Sequence, residues 1–303
     1  MMKKKSILSL LVISILLISI STANADLEDN LKSLTEKNAK NYFQPFVTAF
    51  GTNLNSGWFN TAEVVKPFHF GISLNSIGAF LVDDSEKTFI AVNPDTSIYA
   101  ELLIETATVW GSSGEVFTPI TTGDPLNLPD GLDISVLPMV VPQAYLGLPY
   151  GFEIIGRYLP LMEIEDIGDI SFWGVGIKHK VSRWIPLCPT AISIQGTYQK
   201  FELDEGEVIT IESTFLNAHI SKKFLILTFY LGAGIENTKL SANYEYSGNV
   251  SNYFGEKLSF DIIGENEFRA TFGARLKILI LDACIDFSTG KYPAIRIGAG
   301  LTF

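Results

Sequence analysis

Apolar positions follow three different periods along this chain. Ile7 to Ile20 (ILSLLVISILLISI) is one apolar stretch preceded by Lys3, Lys4 and Lys5 and followed by Ala23-Asn24-Ala25. Its 14 residues fall short of the roughly 20 that span hydrocarbon, so residues 1–25 read as a cleaved export signal with Asp26 as the mature start. Leu27, Leu31 and Leu34, then Tyr42, Phe43 and Phe46, recur at helical spacing, which predicts a helix from Leu27 to Phe43 stopped by Pro45. From Val64 onward the period is two. Beyond Ala25 there is no apolar run of about 18, so any passage through a membrane has to be made by the strands of a closed barrel.

The alternation is clearest in NEFRATFGARLK, where Phe268, Ala270, Phe272, Ala274 and Leu276 share one face and Arg269, Thr271, Arg275 and Lys277 the other. Past it, Leu281, Ala283, Ile285 and Phe287 are apolar against Asp282 and Asp286, so the phase flips and a turn or bulge is predicted between Lys277 and Leu281. Phe68, Phe70, Ile72 and Leu74 alternate with His69, Ser73 and Asn75, and Trp173, Val175 and Ile177 with Gly174, Gly176 and Lys178. Further strands are expected at Ile98 to Val109, Val136 to Leu148, Phe152 to Pro160, Ala191 to Leu203, Val208 to Ser221, Leu225 to Glu236, Lys239 to Tyr246 and Lys257 to Ile263. The expected fold is all-β: a transmembrane antiparallel barrel of about 12 strands (12–14) over residues 63–303, with 26–62 as a short helical segment, either a plug or periplasmic.

The last residues, YPAIRIGAGLTF, set Ile295, Ile297, Ala299, Leu301 and Phe303 against Arg296, Gly298, Gly300 and Thr302. This resembles the closing strand of Gram-negative outer-membrane barrels. The resemblance implies an assembly signal at Ile295, Ile297, Leu301 and Phe303, read by the barrel-assembly machinery. Trp58, Trp110, Trp173 and Trp184 are candidates for interfacial girdles or for core packing. GLPYGFEIIGRYLP (Gly147 to Pro160), FWGVGIKHKVSRWIP (Phe172 to Pro186), AISIQGTYQKF (Ala191 to Phe201) and YLGAGIE (Tyr230 to Glu236) resemble an uncharacterised outer-membrane family, domain of unknown function 6588. That resemblance implies location and architecture and brings no assigned active residues. An N-terminal segment ahead of a barrel is more remotely similar to the long-chain fatty acid transporters, whose diagnostic signatures this chain lacks.

Composition narrows the function. At 47% hydrophobic and 18% charged the chain is neither disordered nor a nucleic-acid coat, and 22 basic against 33 acidic residues, net −11, disfavours a polyanionic partner. Cys188 and Cys284 are the only cysteines and are expected to stay unpaired. His69, His179 and His219 are isolated, and no HExxH, GxSxG, GxGxxG or P-loop occurs, so no cofactor, metal or catalytic residue is assigned. Asp124, Asp130 and Asp133 in a Pro-rich stretch depart from calcium-loop spacing and, like the acidic run from Glu163 to Asp169, read as solvated loop. Charge on the inward face is distinctive: Arg157, Arg269, Arg275, Lys277 and Arg296 against Glu101, Glu105, Glu153, Asp282 and Asp286 are the lumen-lining candidates. They suit either a field along an aqueous path or ion pairs across a filled lumen. The expectation is an outer-membrane protein of a Gram-negative bacterium, surrounded by lipid and not an enzyme. It would be a passive pore or transporter for small solutes or hydrophobic molecules, hence with a possible small-molecule ligand. The alternatives are a structural or surface-binding barrel with a plugged lumen, and a lipid-modifying enzyme.

Overall fold

The computed structural model describes residues 33–121, 123–164, 168–203, 208–246 and 255–303, without the side chains of 161–164 and 168. The expected leader and the expected helix start at Leu27 lie outside the described residues. In chain order the elements are α1 (Glu36–Asn55), β1 (Phe70–Phe80), β2 (Thr88–Val92), β3 (Leu103–Ala107), β4 (Val116–Phe117), β5 (Leu126–Asn127), β6 (Val136–Leu148), β7 (Phe152–Ile164) and β8 (Gly168–Lys180). There follow β9 (Ala191–Leu203), β10 (Ile209–Phe224), β11 (Leu227–Glu245), β12 (Lys257–Ile263), β13 (Phe268–Ile278), β14 (Leu281–Ser288) and β15 (Ala294–Thr302).

Ten of these strands close into an antiparallel barrel in the order β1-β6-β7-β8-β9-β10-β11-β13-β14-β15, with β15 returning to β1. The expected count of about twelve fails for a local reason at each surplus segment. Ile98 to Val109 contains β3, which pairs with β2 away from the barrel. Leu225 to Glu236 and Lys239 to Tyr246 are one strand, β11, and β12 pairs with the upper part of β11 outside the ring. The turn predicted between Lys277 and Leu281 is present, with Leu279 at φ 55°.

Polarity inverts along the wall. The outward face of β11 runs Leu227, Phe229, Leu231, Ile235, then Asn237, Lys239, Ser241, Asn243 and Glu245, while its inward face passes from Thr228, Glu236 and Thr238 to Leu240, Ala242 and Tyr244. The inward face of β9 goes from Gln195 and Gln199 to Phe201 and Leu203, and that of β10 from Asn217 and Ser213 to Ile211 and Ile209. The barrel therefore has two storeys. The lower one is apolar outside and polar inside over about nine residues per strand, the length a tilted strand needs to cross hydrocarbon. In the upper one water-facing side chains surround a hydrophobic core. Where the outer face changes character, Tyr158, Trp173 and Tyr198 point outward, the last two with ring centroids 5.5 Å apart.

That upper core is filled by α1, whose Phe43, Val47, Ala49 and Leu54 are buried against the inner faces of the wall. The predicted stop at Pro45 is thus overturned: α1 continues to Asn55. An interior proline costs about 3 kcal/mol, less than burying several large side chains at about 1.5–3 kcal/mol each. Short connections at 149–151, 225–226 and 279–280 share one end of the barrel with Phe303, and the 81–135 excursion carrying β2 to β5 covers the other. The N-terminal segment enters at the loop end, where the Asn38 side chain bonds Val92 N and O at 2.9 Å each and Tyr244 donates to Leu34 O at 2.8 Å. After α1 a strap (56–69) descends to the turn end, where Phe68 N donates to Gly147 O at 2.8 Å, and β1 begins.

Candidate functional site: a plugged lumen

Strand register brings inward charges together. Glu153 lies opposite Lys178 across β7 and β8 and their charged atoms are 2.7 Å apart; Asp286 lies opposite Arg296 across β14 and β15, at 2.6 Å. Two diagonal pairs complete the set, Arg269–Glu236 at 2.8 Å and Arg275–Asp282 at 3.0 Å. Cross-strand neighbours on one face are where such contacts form, and buried pairs of this kind persist only when the remaining hydrogen-bonding capacity is also satisfied.

Three arginines use that capacity on the plug. A helix leaves its last carbonyls without intrahelical partners, and α1 has no basic residue in its last turn. The wall supplies the cations. Arg157 donates to Leu54 O and Ser56 O, each at 2.7 Å, Arg269 to Thr52 O at 2.9 Å, and Arg296 to Phe59 O in the strap at 2.7 Å. All three are at most 2% exposed. Among the described residues Arg157 has no carboxylate partner. Its charge is met by the negative end of the helix, by Gln143 at 2.9 Å and by the Trp58 ring, 3.9 Å from the guanidinium carbon.

Below the helix the strap inserts two aromatic rings. The Trp58 indole donates to Leu54 O at 3.0 Å and lies over Gly174 and Gly176 of β8, where an added Cβ would come within 3.3 and 3.0 Å of the ring. Phe59 stacks on His219 at 4.2 Å between centroids. Ser193 donates to Ala62 O at 2.6 Å, Ala62 N to Ser221 Oγ at 2.9 Å, and Val65 N to Glu153 at 2.9 Å, so the strap is tied to β7, β9 and β10 as it descends. It divides the turn end into two cavities of about 410 and 350 Å³.

Of the sequence-predicted lumen residues, Arg157, Glu153, Arg269, Arg275, Asp282, Asp286 and Arg296 are buried on the inward face, and Lys277, half-buried, lines the smaller cavity. Glu101 and Glu105 are not in the lumen. They belong to the loop-end excursion, where Glu101 accepts from the Thr118 amide at 3.0 Å and Glu105 from the Thr88 hydroxyl at 2.7 Å. Glu105 alternates within β3 of the β2–β3 pair and Glu101 lies just before that strand, and neither strand of the pair belongs to the barrel. The sequence pattern does not single out Glu236, Gln143 and Gln199: Glu236 stands where the two faces of β11 exchange polarity, and the two glutamines carry no charge to mark an inward face. Trp58 and Trp110 are 1% exposed and belong to no girdle.

The histidines do not converge: His69 bonds Pro67 O, His179 accepts from the Trp184 indole, and His219 bonds Asn217. Among the described residues no three His, Cys, Asp or Glu side chains form a metal-binding group, and both cysteines are free thiols. At the closing seam Phe303 N donates to Phe70 O at 2.9 Å and the two rings stack at 5.3 Å.

Among solved structures the chain is similar to the translocator domain of autotransporter NalP from Neisseria meningitidis (9% identity, TM-score 0.29, covering 86% of this chain and 94% of that one). It is also similar to Ail, the attachment invasion locus protein of Yersinia pestis, in complex with a heparin analogue (8%, 0.27, 78% and 99%). The N-terminal β-barrel domain of Pseudomonas aeruginosa OprF gives 17%, 0.23, 50% and 94%. No curated protein sequence matches the chain. The model of a family of unknown function, DUF6588, matches residues 2–303, and the chain belongs to that family.

Proposed function

We propose that this chain is an outer-membrane β-barrel held shut by its own N-terminal segment, with the loop-end cap turned to the exterior as a binding or structural surface. The outward band of apolar side chains, bordered above by Tyr158, Trp173 and Tyr198, supports a lipid environment, since a basic side chain facing lipid costs about 2–4 kcal/mol at the midplane. Short turns on the periplasmic side and long loops outside give the orientation. The leader expected at 1–25 and an assembly signal ending in Phe303 belong to the same reading.

The observation that carries it is the seating of the α1 carboxyl end on Arg157 and Arg269, and of the strap behind it on Arg296, beneath an apolar upper core. A pore or transporter for small solutes or hydrophobic molecules is the second reading, favoured by the two turn-end cavities. It requires α1 to leave, which strips those carbonyls of their donors. Planar-bilayer recording tests the choice. Full-length protein is expected to be silent, and a variant lacking residues 33–62 but still heat-modifiable is expected to conduct. Stable ohmic channels from the full-length protein would overturn the closed reading.

A further inference from the structure

The larger turn-end cavity carries charge opposite in sign to the protein as a whole. The chain has a formal net charge of −11, yet this cavity of about 410 Å³ is lined by Lys66, Lys180, Arg183, Lys222 and Lys223 with Glu63 as its lining carboxylate. Glu63 is committed to Lys180 at 2.5 Å and Lys222 donates to Pro189 O, while among the described residues Lys66, Arg183 and Lys223 have no acidic partner. Beside the cavity the 181–190 connection exposes large apolar side chains where a turn in water is usually polar: Trp184 is 63%, Ile185 46% and Leu187 100% exposed. Its Ser182, Arg183, Cys188 and Pro189 form part of the cavity lining, so the cations and the apolar tip belong to one feature.

We propose that this cavity binds the headgroup phosphate of an anionic phospholipid from the leaflet at the turn end, with the acyl chains lying along Trp184, Ile185 and Leu187. Cations without an acidic partner beside a membrane attract anionic headgroups, and the long, flexible side chains of Lys66, Arg183 and Lys223 line the one cavity in which a headgroup phosphate would sit. A free phosphate would account for the cations and leave the apolar tip unexplained. The proposal rests on the reading that the outward apolar band lies in lipid.

The test uses the full mature chain with Trp173→Phe, in phosphatidylcholine nanodiscs containing phosphatidylglycerol, with bromine on the acyl chains of one lipid or the other. Trp184 emission reports the lipid beside the turn, because Trp58 and Trp110 are 1% exposed. Brominated phosphatidylglycerol is expected to quench with an apparent enrichment of about fivefold or more over brominated phosphatidylcholine. The enrichment should fall toward onefold in high salt, and in Lys66→Gln/Arg183→Gln/Lys223→Gln. Equal quenching by the two lipids overturns the proposal, as does a preference that survives both salt and the triple substitution. If the variant does not fold, the salt series on the unsubstituted cluster decides alone. Loss of the preference to inorganic phosphate at constant ionic strength would overturn the lipid in favour of a free anion. Absence of quenching of Trp173 by either lipid, in a chain that keeps Trp173 and carries Trp184→Phe, would overturn the membrane reading itself.

Discussion

Replacing Arg157 by methionine keeps most of the side-chain volume and removes the donors that hold the end of the plug. Leu54 O retains the Trp58 indole at 3.0 Å, but Ser56 O loses its 2.7 Å partner and the cation leaves the Trp58 ring. An unsatisfied buried carbonyl costs about 1–3 kcal/mol and a desolvated cation–π contact contributes about 2 kcal/mol. Against this, removing a buried cation that lacks a carboxylate recovers part of its desolvation cost. The balance is a loosening of the plug by about 2–4 kcal/mol, or roughly 30- to 700-fold in the undocking equilibrium. Hydrogen exchange reads this directly, because the amides in the last turns of α1 exchange when the plug leaves the wall. In the folded, detergent-solubilised protein they should exchange faster by that factor, while β13 and β14 amides keep their rates. Acceleration below about threefold would refute the idea that Arg157 holds the plug.

Three further outcomes are expected. Arg269→Met should lower the temperature of heat modification more than Arg157→Met, because it strands Glu236 in a buried site at a cost of about 3–5 kcal/mol, and Glu236→Gln in the same chain should recover part of the loss. Arg275→Leu/Asp282→Asn, which removes the buried pair as a unit, should assemble better than Ala274→Arg, since an outward arginine costs about 2–4 kcal/mol at the membrane midplane; equal membrane yields from both would refute the face assignment. An epitope placed just before Ser33 should be accessible to antibody on intact cells, because α1 begins at the loop end and the chain runs from there to the turns. Labelling only after permeabilisation would invert that topology.

Much of the wall was legible because a strand with water or lipid on one side and a polar lumen on the other repeats every second residue. β13, β14 and β15 show this without interruption, and the phase flip between Lys277 and Leu281 marked their turn. The same logic hid β11. At Asn237 its outward side changes from apolar to polar while its inward side does the reverse, and a pattern that inverts without a break in pairing looks like two strands. The upper storey misled in the same way, since α1 is stabilised past Pro45 by a core that the wall supplies from distant strands. The ring of arginines is visible as inward charge, but besides the carboxylates of Glu236 and Asp286 they bind main-chain carbonyls of the plug, which carry no sequence signal.

The central claim, that the strap lies inside the wall, is tested most directly by a disulfide between them. Thr61 Oγ1 and Ser221 Oγ are 3.2 Å apart, on the strap and on β10. In a Cys188→Ser background, Thr61→Cys/Ser221→Cys protein folded in outer membranes and oxidised there should yield a linked peptide joining residues 61 and 221 by mass spectrometry. Free, maleimide-reactive thiols at both positions in heat-modifiable barrel, with no linked peptide, would contradict it.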